Sequence, residues 1–234
     1  MEIVNYPFLT NTALFRGMGP EEADAMLGCL GSYEKSYEKG DVIFRVGERV
    51  ESMGMVLSGS VQIEIDDLWG NKTIFGHVDA GRLFAETYAS RPGEPLMVNV
   101  VACERSDILF LNAAKLLTIC PNACAHHNKL MRNLLRILAE MNLALSRRSL
   151  HTASRSIRGR LLSYLSHQAK QNGSYRFTIP FNRQQLADYL GVGRSAMSNE
   201  LSKMQSEGLL LFEKNRFILQ DKEPYADVQD HQSN

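Results

Sequence analysis

Between Ser36 and Asn112 the apolar residues come in short runs: Val42 to Val46, Met53 to Leu57, Val61 to Ile65, Thr73 to Val78, Met97 to Val101 and Ile108 to Leu111. Turn formers separate them, at Lys39-Gly40-Asp41, Gly47-Glu48, Ser58-Gly59-Ser60, Asp66-Asp67 to Gly70-Asn71, and Asp79-Ala80-Gly81. Short β-like segments at this spacing predict an all-β sandwich or barrel. A helix precedes it. Pro20 suits a first helical position behind Gly19, and Glu21-Glu22 suit the positive end of the helix dipole.

After Asn112 the period changes. Asn112 is placed to cap a short helix, Ala113 to Ile119, and Pro121 opens a second helix reaching Leu150, about 45 Å long. Along it Leu130, Leu134, Ile137, Met141 and Ala144 recur at steps of four and three, a heptad-type seam. A second stripe, Met131, Leu135, Leu138 and Leu145, runs beside it. Two stripes call for two partners, the helix's own β-domain and the same helix of a second copy, with Leu130, Leu134, Ile137, Met141 and Ala144 as the expected homodimer interface. A single broad core face is the alternative. Arg147-Arg148 and Thr152-Ala153-Ser154 mark a hinge. Ile157, Leu161, Leu162, Tyr164 and Leu165 then form the apolar side of another helix, ended by Asn172-Gly173.

Tyr175 to Ile179 reads as a strand, and Asn182 with Gln185 has the spacing of a capping box. Gln185 to Leu190 is a short helix with Leu186, Ala187 and Leu190 inward. Gly191-Val192-Gly193 is a turn, and Arg194 to Glu207 a second helix that buries Met197, Leu201 and Met204. Gly208 ends it, and Leu209 to Phe212 with Phe217 to Leu219 form a hairpin around Lys214-Asn215. Helix, Gly-containing turn, helix and β-wing together make a winged helix-turn-helix. Its second helix suits the major groove of duplex DNA, with Arg194, Ser195, Ser198, Asn199 and Lys203 outward. Arg matches guanine and Asn matches adenine. Lys203, Lys214 and Arg216 suit phosphates, and Arg183 joins the expected contacts.

Charge sharpens this reading. The chain is neutral overall, with 26 basic and 26 acidic residues. Residues 1–150 carry 15 Lys/Arg against 18 Asp/Glu, residues 151–220 carry 10 against 4, and residues 221–234 carry 1 against 4. One basic segment in a neutral chain points to a polyanion partner. The apolar runs are too short to cross a membrane, and four cysteines without framework spacing suit a reducing cytoplasm. Cys120 and Cys124 stand one helical turn apart, the basis for a redox-sensor alternative. A cupin-like enzyme needs several His ligands, and residues 1–112 hold only His77.

The segment Gln184-Gln185-Leu186-Ala187-Asp188-Tyr189-Leu190-Gly191-Val192-Gly193-Arg194 resembles the helix-turn-helix of the Crp–Fnr family of bacterial transcription regulators. Gly40-Asp41-Val42-Ile43-Phe44, Gly47-Glu48, Leu57-Ser58-Gly59-Ser60-Val61 and Gly81-Arg82-Leu83-Phe84-Ala85-Glu86 resemble the cyclic-nucleotide-binding domain of that family. The resemblance implies an α+β protein: a double-stranded β-helix (the β-roll), a long dimerisation helix and a C-terminal winged helix-turn-helix. It implies an effector-sensing roll over 1–120, a dimerisation helix and hinge over 121–150, a DNA-binding domain over 151–220 and an acidic tail over 221–234. It further implies a non-enzymatic, homodimeric regulator that binds a near-palindromic operator and engages RNA polymerase.

The departures bear on the effector. Cyclic-nucleotide binders of the family carry Glu and, about ten residues on, Arg followed by Ser or Thr. Glu86 matches, but Leu96 and Met97 occupy the other two places. Burying a cyclic phosphate without a cation costs several kcal/mol, so a small apolar or aromatic effector is expected in place of cAMP, and no metal or cofactor. The expected pocket comprises Phe84, Ala85, Glu86, Leu96 and Met97, with Leu134, Leu138 and Met141 relaying its state along the helix. A ligand-independent DNA-binding regulator is the alternative.

Overall fold

The computed structural model describes residues 5–66, 72–118 and 125–220, in two compact units that divide at Glu140/Met141. The first unit opens with α1 (Tyr6–Asn11), too short for a periodic signal, capped by the Asn5 side chain. Helix α2 (Pro20–Leu30) starts at Pro20 as expected, and the Gly19 N–H donates to the Glu22 carboxylate at 2.9 Å.

The strands that follow are β1 (Tyr33–Tyr37), β2 (Val42–Phe44), β3 (Ser52–Ser58), β4 (Ser60–Asp66), β5 (Lys72–Asp79) and β6 (Leu83–Phe84). After the one-turn α3 (Glu86–Ala89) come β7 (Asn99–Ala102), β8 (Ser106–Asn112) and α4 (Ala113–Leu117). They build two antiparallel sheets, β1-β8-β3-β6 and β2-β7-β4-β5. Two strands lie outside the sequence pattern, as do the short helices α1 and α3. Strand β1 is exposed over its first four residues and gains its place by pairing with β8 across 77 positions, Tyr33 opposite Phe110. The two residues of β6 pair with β3. The expected strands at Val42 and Met97 are shorter, β2 stopping at Phe44 and β7 beginning at Asn99.

Two apolar clusters share this unit. One fills the roll with Tyr37, Ile43, Val56, Val61, Val78, Phe84, Val100, Ala102, Ile108 and Phe110. Phe44 meets the rings of Phe84 and Phe110 edge-on, at 5.9 and 5.8 Å. Phe84 lies so close to β3 that a Cβ on Gly54 would fall 2.1 Å from its ring, so the position excludes a side chain. The other cluster joins α1, α2 and α4 to Leu83, Ala89, Leu109 and Leu111.

The long helix is α5 (Ala125–Thr152); its expected start at Pro121, with Cys120 and Cys124, and the acidic tail 221–234 lie outside the described residues. In the first unit α5 is fixed by Leu130 and Leu134, both fully buried, with Ile137 packed beside them. Lys129 Nζ donates to the Gly17 carbonyl at 2.6 Å, and Asn133 Nδ2 donates to the carbonyls of Leu14 and Arg16 at 2.8 and 2.9 Å. This corrects the expected interface at two positions. Leu130 and Leu134 are spent on the chain's own core, Ile137 is half-buried against it, and Met141 and Ala144 are exposed. The neighbouring stripe is divided in the same way: Met131 and Leu138 pack against the core, while Leu135 is 67% and Leu145 66% exposed.

The second unit takes in α5 from Met141 onward, then α6 (Ile157–Asn172), β9 (Arg176–Thr178), α7 (Arg183–Leu190), α8 (Arg194–Ser206), β10 (Leu210–Glu213) and β11 (Arg216–Leu219). Its sheet runs β10-β11-β9. Its core takes Leu161, Tyr164 and Leu165 from α6, Leu186, Ala187 and Leu190 from α7, and Met197, Leu201 and Met204 from α8. Leu162, expected on the apolar side, faces solvent instead. Helix α7 starts at Arg183, two residues earlier than expected, because the Asn182 cap precedes that turn.

Candidate nucleic-acid interface

Helix α7 begins with the expected capping box: the Gln185 N–H donates to Asn182 Oδ1 at 2.9 Å and the Asn182 N–H donates to Gln185 Oε1 at 2.8 Å. It ends at Gly191, whose φ of 63° is the left-handed conformation that favours glycine. The turn leads directly into α8, capped by Gly193 through its backbone. Met197, Leu201 and Met204 bury one face of α8 completely, so Arg194, Ser195, Asn199 and Lys203 must face water, with Ser198 half-buried beside them.

Helix α8 is tied to α6 by Arg158. Its Nε donates to Glu200 at 2.6 Å, and its two terminal nitrogens grip Glu207 at 2.8 and 2.9 Å. A bidentate fork fixes direction as well as distance. Among the sequence-predicted contacts, Arg194 and Lys214 line one open notch of about 680 Å³ with Asn182, Arg183, Gln184 and Asn215. Lys214 sits at the wing tip with φ 50°. The notch combines a helix N-terminus with two exposed cations, an arrangement that accepts a phosphate.

Two predicted contacts differ: Arg183 lines the notch but turns its guanidinium onto the wing, and Arg216 lies in another concavity. The Arg183 guanidinium lies over Phe212 and Phe217, 4.6 and 5.4 Å from the ring centres, and burial holds its pKa below the ordinary value. It braces the wing against α7 as a cation–π stack. Arg216 lines a separate concavity with Arg176, Thr178 and Gln205, away from the Arg194 notch.

Sequence reading missed the clamp at the other end of α7. A helix leaves its last carbonyls short of partners, and two guanidiniums donate to those of α7 alongside the Gly191 N–H, which reaches the Asp188 carbonyl. Arg148 donates to the carbonyls of Asp188 and Tyr189, both at 3.1 Å, and Arg160 to those of Leu190 and Gly191, at 2.9 and 3.0 Å. Basic residues flanking the Thr152-Ala153-Ser154 hinge were the available signal.

The expected effector residues are only partly brought together. Phe84 and Ala85 belong to the roll interior, whereas Leu134 and Leu138 belong to the other cluster. The bridge between them is the segment from Leu83 to Ala89, which sends Leu83 and Ala89 to the α5 side and Phe84 to the roll side. Glu86 is buried, starts α3 behind the left-handed Ala85, and accepts from Thr87 Oγ1 at 3.3 Å. Leu96 is buried and tied to the Gly47-Glu48 turn by two 2.8 Å backbone bonds. Met97 is 65% exposed, and Met141 is exposed as well. Arg91 projects into solvent and pairs with Glu94 at 3.6 Å. Among the described residues of the roll, the buried ionisable groups with formal charge are Glu64 and Glu86, both acidic.

A β-roll carrying a long helix and a winged helix-turn-helix defines a class, the bacterial one-component transcription regulators. The cyclic nucleotide-binding domain family matches residues 34–122, and the Crp-like helix-turn-helix domain family matches residues 159–224. A cyclic AMP receptor protein of Thermus thermophilus is 27% identical over 202 residues, covering 86% of this chain and 89% of that one. The fold is similar to that of OCPA-complexed CprK, with TM-score 0.56, 17% identity and coverage of 85% of this chain and 89% of that one. It is also similar to that of the c-di-GMP responsive regulator CLP of Xanthomonas campestris, with TM-score 0.52, 18% identity and coverage of 87% and 100%. The chain belongs to the Crp–Fnr family of transcription regulators.

Proposed function

We propose that the chain is a sequence-specific DNA-binding regulator that works as a homodimer in the cytoplasm and responds to an effector other than a cyclic nucleotide. The observation that carries the DNA reading is the outward set Arg194, Ser195, Ser198 and Asn199 on a helix whose opposite face is buried. Arg194 reads guanine and Asn199 adenine, while Lys203 and Lys214 hold phosphates. The exposed apolar residues of α5 support the dimer: Leu135, Met141 and Leu145 face solvent, on a seam in which Met131, Leu135, Leu138 and Leu145 keep heptad steps. Asn142 falls at an a position of that seam, where a polar residue selects register. Two copies would present α8 to half-sites about 34 Å apart, with RNA polymerase as the partner at some promoters. Among the described residues no helix is long and apolar enough to cross a membrane. The working division is residues 1–120 for sensing, 121–150 for pairing and hinge, and 151–220 for DNA.

The effector reading rests on charge. Leu96 and Met97 occupy the sequence places of the Arg and the Ser or Thr of the family's cyclic-nucleotide binders, which leaves a buried cyclic phosphate without its cation. The similar proteins are named for cyclic AMP, c-di-GMP and OCPA, so the scaffold does not fix the ligand. Likeness to a cyclic AMP receptor protein favours a second reading, cAMP binding. Calorimetry decides between them: no heat at micromolar cAMP is expected, and a micromolar isotherm overturns the proposal. Selection from a random DNA library tests the rest. Enrichment of paired half-sites is expected, and none with the pure protein, with or without cell metabolites, would refute it.

A further inference from the structure

We propose that Arg148 and His151, near the end of α5, form a proton-sensitive latch that fixes the first helix of the helix-turn-helix through Tyr189. Both residues project from the part of α5 that packs within the second unit. Arg148 donates to the Asp188 and Tyr189 carbonyls, and its guanidinium lies 6.0 Å from the Tyr189 ring centre. One turn further, His151 Nδ1 lies 2.9 Å from the Tyr189 hydroxyl. Tyr189 stands two residues before Gly191, the turn that leads to the recognition helix. The latch therefore acts on the element that sets where α8 points.

Its sensitivity to protons comes from what surrounds His151. The ring is 4% exposed. Its neighbours are the rings of Tyr164 and His167 on α6, at 5.5 and 5.1 Å, and of Tyr189 on α7, at 5.9 Å. Arg147 and Arg148 flank it on its own helix. The small cavity at this junction is lined by Arg147, Tyr164, His167, Gln168, Gln171 and Phe181 among others, with no carboxylate. A proton on His151 would meet cations and rings and find no anion. Burial first, then His167 and Arg147, lower its pKa from the ordinary 6.5.

The sign follows. Neutral His151 belongs to the closed latch, so the latch is intact above about pH 6.5 and weakens as pH falls below that value. Two features keep it poised. The Tyr164 hydroxyl and His167 Nε2 are buried without a hydrogen-bond partner, which leaves the closed cluster short of full satisfaction. No step here changes a covalent bond; one proton moves between solvent and imidazole.

Hydrogen exchange on the full chain tests the latch without DNA. Protection at the last turns of α5 and α7, corrected for intrinsic rates, should fall by about tenfold for each pKa unit of depression between pH 7.5 and 5.5. His151→Gln should remove that pH dependence, and Arg148→Ala should lower protection at both pH values. An unchanged wild-type profile, or an equal drop in His151→Gln, overturns the proposal. Should His151→Gln fail to fold, NMR titration of wild-type His151 decides: an imidazole titrating at or above 6.5 overturns it. A protein that binds no DNA would leave these readouts intact, so the latch and the proposed function fail separately.

Discussion

The two halves of this chain carry their chemistry in opposite places. In the winged unit the groups that matter point outward, and the core serves to aim them: Met197, Leu201 and Met204 leave Arg194 and Asn199 no other direction. In the roll the groups that matter point inward, where Phe44, Phe84 and Phe110 meet. Outward chemistry can be read from residue type and helical spacing. Inward chemistry depends on how strands far apart in sequence close on one another, and a single exchange such as Leu96 for a cation alters what the interior can hold.

The contrast can be broken most forcefully from the roll. Phe110→Ala removes a ring buried among Tyr33, Tyr37 and Phe44 and should destabilise that unit by about 3–5 kcal/mol. The chain's single tryptophan, Trp69, lies in the roll sequence, so fluorescence-monitored urea unfolding should show the loss while the second unit keeps its own transition. Arg194→Ala tests the other half. It should weaken operator binding by about 1–3 kcal/mol and relax one base position, with the thermal midpoint unchanged. An isotherm equal to wild type would remove Arg194 as a reader.

Smaller changes sharpen the comparison. Asn182→Ala deletes the cap of α7 and should lower stability of the winged unit by about 1 kcal/mol, read by denaturation, without altering base preference. The mildest effect is expected at the Asp107 carboxylate in the roll. Ser36 and Ser58 donate to it at 2.6 and 2.7 Å and hold its pKa below the ordinary 3.8. A lowered carboxylate stabilises while ionised, so this contribution is complete above about pH 3.8 and is lost as pH falls through the folded value. Acid unfolding followed at Trp69 should be less steep in Asp107→Asn.

Local grammar made the winged unit legible. The Asn182–Gln185 box, the Gly191 turn and the 3.6-residue spacing of Met197, Leu201 and Met204 all stand in the structure as their residue types require. The same grammar could not see β1, whose exposed residues are a strand only because β8 pairs with them.

By itself the sequence determined the order of the elements other than α1, β1, β6 and α3, the helix caps and turns around the winged unit, and which side chains of α8 face water, because each depends on neighbours within a few positions. It also determined that two apolar stripes run along α5. Only the tertiary structure decided which residues of those stripes the protein keeps for itself. Leu130 and Leu134 are buried by partners more than 100 residues away in sequence, such as Leu9 and Leu14, and Leu135 is left open. It also decided that Arg183 stacks on the wing and that Arg148 reaches α7. Long flexible cations go where buried rings and orphan carbonyls await them, and those are positioned only when the chain has folded.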